Sequence, residues 1–302
     1  MTTLRQRIET VLAATGAEIG FSATHLPSSA TLSINPERLF CTASVFKIPV
    51  MVEVYRQMEQ GRFALSDRMA MPEAQRVIGS GVLQKLDTGI APTIRDLVML
   101  MIIISENTAT QMLLDLVGAA HVTATMHALG LADIHVTLSL PELFAHAYGI
   151  PASPPPDYQQ MQAASRSRNM DYDSLTFAAS PAGTTASAAD MARLCAMIWR
   201  GEAASSSSCA DMMTILQAQQ LRDRVPRYLP TSGVANKTGT FRGIRNDAGL
   251  LLRGGEDVVS FALFTFDRTP LPLGNSRMLA ERNALVNGAM AEVGALLWEE
   301  FR

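Results

Sequence analysis

The chain has 302 residues, 48% of them hydrophobic and 18% charged, with a net charge of −3 at pH 7. That is enough apolar surface for one large domain or two small ones, and it leaves no basic stripe for nucleic acid and no polybasic patch for a membrane surface. The cysteines (Cys41, Cys195, Cys209) and the five histidines show no metal-ligand spacing, so the thiols read as reduced, small hydrophobes and no metal site is expected.

In chain order, Leu4, Ile8, Val11 and Leu12 recur at helical spacing. The N-terminus therefore reads as an amphipathic helix rather than a cleavable signal. Taken literally this places the protein in the cytoplasm; a periplasmic protein trimmed to its mature start would look the same. "AEIGFSATH" alternates in polarity, turns at "LPSS" and runs on into "ATLSI", a hairpin signature. Residues 44 to 60 predict a helix ending at Gly61, with Pro49 near its start, where a missing N–H costs least. "TIRDLVMLMIII" predicts a helix buried on every side, too short to span a membrane. It stops at "SENTAT", and a further helix follows to Gly118.

Residues 150 to 186, rich in Pro, Ser and Ala with little periodicity, predict a long loop. Ser187 with Asp190, and Ser208 with Asp211, have capping-box spacing ahead of helices. From residue 232, "SGVANKTGT", "IRNDAGLLLR" and "DVVSFALFTF" predict an antiparallel meander, and an amphipathic helix over about 276 to 299 closes the chain. The expected fold is α+β, an α/β/α sandwich: an antiparallel sheet of about five strands flanked by the terminal helices. Residues 1–40 and 225–302 would form the sheet domain, with a helical domain, 41–224, inserted between. Ligands tend to bind where such domains meet.

Three short motifs carry candidate chemistry. Only three lysines stand against 22 arginines, and a lysine, unlike an arginine, can be held neutral in a protein. Ser44-x-x-Lys47 sets a hydroxyl and an amine on one helical face, about 5–6 Å apart at Cβ, with Ser44 at a helix N-terminus that favours developing negative charge. Ser105-Glu106-Asn107 ends the apolar helix; alone, it is equally the cap of the next one. Lys237-Thr238-Gly239 lies in a predicted strand, where its glycine lets a ligand approach the backbone; alone, it is an ordinary strand with a bend.

In this order and on these elements, the three motifs resemble the signature of class A β-lactamases and penicillin-binding proteins. The likeness extends to "GSGVLQKLDTGIAPTIRDLVMLMIIISENTATQMLLDLVG", to "TTASAADMARL" and to "VANKTGTFRGIRNDAGLLL". It implies that Ser44 is the acyl-accepting nucleophile and Lys47 its partner, that Ser105 relays protons toward the leaving nitrogen, and that Asn107 hydrogen-bonds the substrate amide. Glu106 replaces the family's usual Asp and would point away from substrate. Lys237 and Thr238 would bind the substrate carboxylate, and Gly239 would belong to the substrate-binding strand. The N–H groups of Ser44 and Thr240 would form the oxyanion hole, one such donor being worth about 3 kcal/mol. Arg245 would be a second cation for the carboxylate, or else the partner of Asp247, with Arg242 close by. The resemblance implies no cofactor and no metal, a small-molecule substrate, and a monomer or dimer.

One departure matters. The family carries E-x-x-x-N on its Ω-loop, whose glutamate activates the deacylating water. The corresponding Ω-like segment, about 139–186, begins in "VTLSLPELFAHAYG", which places Leu140 at the glutamate and Phe144 at the asparagine. Neither can hold or deprotonate water. Glu142 would serve as a base only if the loop were rebuilt; Asp157, Asp171, Asp173 or Lys47 are the other options. A Ser–Lys dyad can still move the acylating proton. The expected function is a serine hydrolase forming an acyl-enzyme on Ser44 with a β-lactam or related amide or ester bearing a carboxylate. The alternatives are a penicillin-binding-type peptidase or esterase with slow deacylation, and a non-hydrolytic ligand binder.

Overall fold

The computed structural model describes residues 2–167, 170–269 and 276–301. Helix α1 (Leu4–Ala13) opens on a reciprocal cap between Thr3 and Gln6 and buries Ile8 and Leu12. Strands β1 (Glu18–His25) and β2 (Ala30–Ile34) form the expected antiparallel hairpin. Short β3 (Leu39–Cys41) leads into a 3-10 turn, Ala43–Phe46, and then α2 (Lys47–Glu59). The predicted helix from Ser44 is thus corrected at its start: an α-helix begun there would set the Pro49 ring against the Val45 carbonyl, and the tighter turn avoids this.

Helix α3 (Ile94–Ile103) has a Thr93–Asp96 capping box. It buries Ile94, Leu97, Val98, Met101 and Ile102 but leaves Asp96 exposed and Leu100 half-buried. The expectation of burial on every side is therefore corrected to burial of one face, packed on α2 and on α4 (Asn107–Val117). Helix α5 (Ala119–Ala128) follows Gly118, at φ 82°. Helices α6 (Leu140–Tyr148) and α7 (Tyr158–Ser167) come next. The predicted loop over 150–186 thus contains a helix, started by Asp157 accepting from the Gln160 N–H at 2.8 Å, and ends in β4 (Thr185–Ser187), which pairs with β3.

Helix α8 (Ala188–Arg200) is capped by Ser187, but Asp190 does not reciprocate; it accepts from the Asp133 N–H at 2.9 Å. Helix α9 (Ser206–Gln217) starts from Ser205, three residues ahead of the expected cap, because Ser205 is the first hydroxyl in the serine run to meet an orphan N–H, that of Ser208. Asp211 is released from capping and instead binds the Tyr55 hydroxyl and Arg95.

The remaining strands, β5 (Val234–Phe241), β6 (Ile244–Leu252) and β7 (Val258–Phe266), precede the closing helix α10 (Ser276–Glu300). The sheet is fully antiparallel in the order β2-β1-β7-β6-β5. Central β7 shows how the two-residue period feeds two cores. Phe261 and Leu263 face the layer of α1 and α10, while Ala262 and Phe264 join the core shared with α8 and the helical segment. Both terminal helices therefore cover one face, and α8, from the middle of the chain, covers the other. Edge strand β5 lies against the Ser44 turn, and Gly239 makes that approach possible. A Cβ there would stand 2.5 Å from the Thr42 carbonyl oxygen, closer than any side chain tolerates.

Among the described residues no helix is long and apolar enough to cross a membrane, and no cluster of three or more His, Cys, Asp or Glu could hold a metal.

Candidate active site

Ser44 sits in the 3-10 turn, half-buried, behind Ala43 at φ 43°. A left-handed alanine costs about 1–2 kcal/mol, and its surroundings hold it there. The Thr42 N–H and hydroxyl both donate to the Thr184 carbonyl, at 3.3 and 3.2 Å, and the Val45 N–H donates to the Thr42 carbonyl at 3.1 Å. The Lys47 N–H closes the turn on the Ser44 carbonyl, and residues three apart in a 3-10 turn eclipse.

Lys47 is fully buried. Its Nζ donates to the Ser105 carbonyl at 2.8 Å, the Ser105 hydroxyl at 3.2 Å and Asn107 Oδ1 at 2.9 Å. Ser105 takes a positive φ of 60° between α3 and α4, and its carbonyl and hydroxyl both reach the same amine. Burial lowers the Lys47 pKa to about 7, only partly offset by the attraction of Glu106. The ammonium and the neutral amine are therefore both accessible near neutral pH.

Asn107, at the start of α4, also donates from Nδ2 to the Ile78 carbonyl at 2.8 Å. Glu106 caps the same helix by accepting from the Ala109 N–H at 2.6 Å; its Oε1 packs over Gly81, where a Cβ would lie 2.1 Å away. Burial raises its pKa. Glu106 thus serves to start α4.

On β5, Lys237 is fully buried, with Nζ donating to the Thr238 carbonyl at 2.7 Å. Burial, together with the charges of Lys47 and Arg224, holds its pKa well below the usual lysine value, against the pull of Asp247. Arg224 is a residue sequence reasoning missed. Its Nη1 donates to the Gly239 and Asn246 carbonyls, both at 2.6 Å, and its Nη2 reaches the Thr240 hydroxyl. It braces the K-T-G strand from behind. In "LRDRVPRY" nothing distinguishes it from its neighbouring arginines; only the tertiary fold brings it to β5.

Asp247 accepts from Asn236 Nδ2 at 2.7 Å, and burial pushes its pKa up to about 7. Arg245 does not pair with it. The Arg245 guanidinium donates to the Phe241 and Ile244 carbonyls at 3.0 and 2.8 Å, and the side chain borders the cavity beside Ser44.

That cavity, about 420 Å³, runs from Ser44 and Asn107 across to Thr240 and α6. Leu140, Leu143 and Phe144 line it, and among the described residues no carboxylate does. Glu142 closes the capping box that starts α6, accepting from the Ser139 N–H at 2.8 Å and the Ser139 hydroxyl at 2.7 Å. Asp157 caps α7, and Asp171 accepts from the Asp173 N–H at 3.1 Å. Of the expected site residues, Ser44, Asn107, Thr240 and Arg245 line the cavity, while Lys47, Ser105, Lys237, Thr238 and Gly239 do not. Lys47 is held with Ser105 against Asn107, and Gly239 packs on the Ser44 turn. Lys237 and Thr238 are buried on β5, and Glu142 lies outside the cavity wall.

Residues 3–301 match the Beta-lactamase enzyme family. A β-lactamase from Sphaerobacter thermophilus DSM 20745 is 30% identical, with 97% of this chain and 94% of that one covered and a TM-score of 0.73. An ancestral class A β-lactamase shares the fold at 21% identity, covering 99% and 100% of the two chains with a TM-score of 0.79. So does a PBP-A mutant solved as an acyl-enzyme complex with penicillin G, at 22% identity, 100% and 97% coverage and a TM-score of 0.75. No curated protein matched the chain. The chain thus shares the fold of a class A β-lactamase and of PBP-A. It belongs to the β-lactamase enzyme family.

Proposed function

We propose that the protein acylates Ser44 with a carboxylate-bearing β-lactam, or a related amide or ester, and releases the acyl group slowly. Neutral Lys47 takes the Ser44 hydroxyl proton as Oγ attacks the substrate carbonyl carbon. The N–H groups of Ser44 and Thr240 receive the negative charge that develops on the carbonyl oxygen. As the tetrahedral intermediate collapses, the C–N or C–O bond breaks, and the proton passes from Lys47 through the Ser105 hydroxyl to the leaving atom. Lys237 and Thr238 hold the substrate carboxylate, and Arg224 keeps β5 in place. Lys47 ends this step neutral again and the acyl group stays on Ser44.

Hydrolysis then needs a base beside a water. The observation that carries the reading is the cavity wall, which presents Leu140, Leu143 and Phe144 and no described carboxylate. Support for chemistry rather than passive binding comes from a buried lysine whose pKa lies near 7, which a simple binder does not need.

Intact-protein mass spectrometry with penicillin G and a chromogenic cephalosporin tests this. The wild type is expected to gain the mass of the intact lactam and Ser44→Ala to gain nothing. Rapid turnover with no accumulated adduct would overturn slow release, and an unmodified wild type without turnover would overturn lactam acylation.

A further inference from the structure

Asn236 directly precedes Lys237 on β5, and Asp247 stands across from Thr238 on β6. The two are diagonal neighbours on one face of the sheet, within reach of each other. Gly249, opposite Asn236, leaves room for the pair; a Cβ there would stand 2.8 Å from the Asn236 Cβ. Both side chains are fully buried. Asn236 Nδ2 donates to Asp247 Oδ1 at 2.7 Å, yet Asn236 Oδ1 and Asp247 Oδ2 are buried without a hydrogen-bond partner. Leaving a buried polar atom unpaired costs more than a typical hydrogen bond gains, and here two acceptors on one bonded pair are left so.

A single proton satisfies both. On Oδ2 it supplies a donor, carried by a carboxyl already bonded to the amide whose oxygen lacks one. Arg224 turns its terminal nitrogens to Gly239, Asn246 and Thr240, and Lys237 its amine to the Thr238 carbonyl. Neither cation therefore hydrogen-bonds the carboxyl. Burial is the strongest influence on Asp247 and raises its pKa to about 7, with the Asp223 charge acting in the same sense and Asn236, Arg224 and Lys237 against it. Cys195 on α8 is the other titratable group in its field.

We infer that Asp247 is a positioning residue that works as the neutral acid, its Oδ2–H donating to Asn236 Oδ1 while Asn236 Nδ2–H donates to Asp247 Oδ1. This acid–amide ring ties β6 to β5 beside Lys237 and Thr238 and fixes the stretch that meets a substrate carboxylate. The link to the reaction rests on acylation of Ser44; the proton on Asp247 does not.

Carboxyl 13C NMR of aspartate-labelled protein, titrated from about pH 5 to 9, reads that proton without any substrate. One aspartate should titrate with a midpoint of about 7, and its signal should be missing in Asp247→Asn. Between about pH 4 and 7 the folded protein then binds one more proton than the unfolded chain, so stability is lost as pH rises through that window. Asp247→Asn closes the same ring and cannot ionise, so it should gain on wild type in denaturant midpoint across the window and hold level above it. Asp247→Leu should slow acylation by penicillin G about tenfold or more but affect p-nitrophenyl acetate, which has no carboxylate, much less; Asp247→Asn should keep most of the penicillin rate. No aspartate titrating above about pH 6, or one that survives in Asp247→Asn, would overturn the protonated pair whatever the acylation result. Equal slowing with both substrates in Asp247→Leu would overturn the positioning role. A wild type that titrates as expected but is acylated by neither substrate would overturn that role and the acylation reading together, and leave the acid–amide pair standing.

Discussion

Lys47 shows at the scale of one residue how burial becomes chemistry. Three short contacts hold its amine, to the Ser105 carbonyl, the Ser105 hydroxyl and Asn107, and burial brings its pKa to about 7. A general base works only when unprotonated. The rate of Ser44 acylation should therefore climb about tenfold per pH unit below this pKa and level off above it. Asp247 titrates in the same range, also about 7, so the profile is to be measured in Asp247→Asn as well. A limb that persists there belongs to Lys47; a limb that vanishes would assign it to Asp247. Lys47→Arg, which keeps the charge but cannot give up its proton, should slow acylation by about 10²- to 10⁴-fold in protein whose circular dichroism remains native.

At the scale of elements, the site exists because edge strand β5 can lie against the Ser44 turn. Gly239→Ala would drive a methyl into the Thr42 carbonyl, 2.5 Å from the Cβ position. It should cost about 1–3 kcal/mol of stability and slow acylation more than any loss of folded protein explains, as denaturant titration beside adduct kinetics would show. A stability change with an unaltered acylation rate would contradict this coupling.

The elements also explain what could be read in advance. Ser44-x-x-Lys47, Ser105-x-Asn107 and Lys237-Thr238-Gly239 are local spacings, and local spacing is what a sequence displays. Arg224 was invisible because its partners, Gly239 and Asn246, are brought to it only by the packing of the chain before β5. Helix α7 is hard to read in the sequence because its apolar face is short, Met161 with Tyr158 packed on the core, among polar and small residues. The cap of α9 moved to Ser205 because four consecutive serines offer several equivalent starts.

At the scale of the whole molecule, the sheet separates two cores with different duties. The layer of α1 and α10 packs Ile8, Phe21, Phe261 and Leu297 on the face away from Ser44. The other core runs continuously from Phe264 through α8 to α2, which carries Lys47. Leu297 is fully buried, and Leu297→Ala should cost about 2–5 kcal/mol of stability in chemical denaturation. The acylation rate per folded molecule should stay within about twofold of wild type, since additivity holds for distant sites. A larger change in rate would show that the far layer helps to set the site.

In the proposed function Lys47 drives acylation of Ser44, while among the described residues the cavity wall presents no carboxylate to activate a water. The most direct measurement is the lifetime of the penicillin adduct after excess drug is removed, followed by intact mass in the wild type and in Leu140→Glu with Phe144→Asn. A long-lived wild-type adduct is predicted, with decay at least about tenfold faster in the double variant, the lower end of general-base catalysis being about 10²-fold. A wild-type adduct that decays at once, or one equally persistent in both proteins, would contradict it.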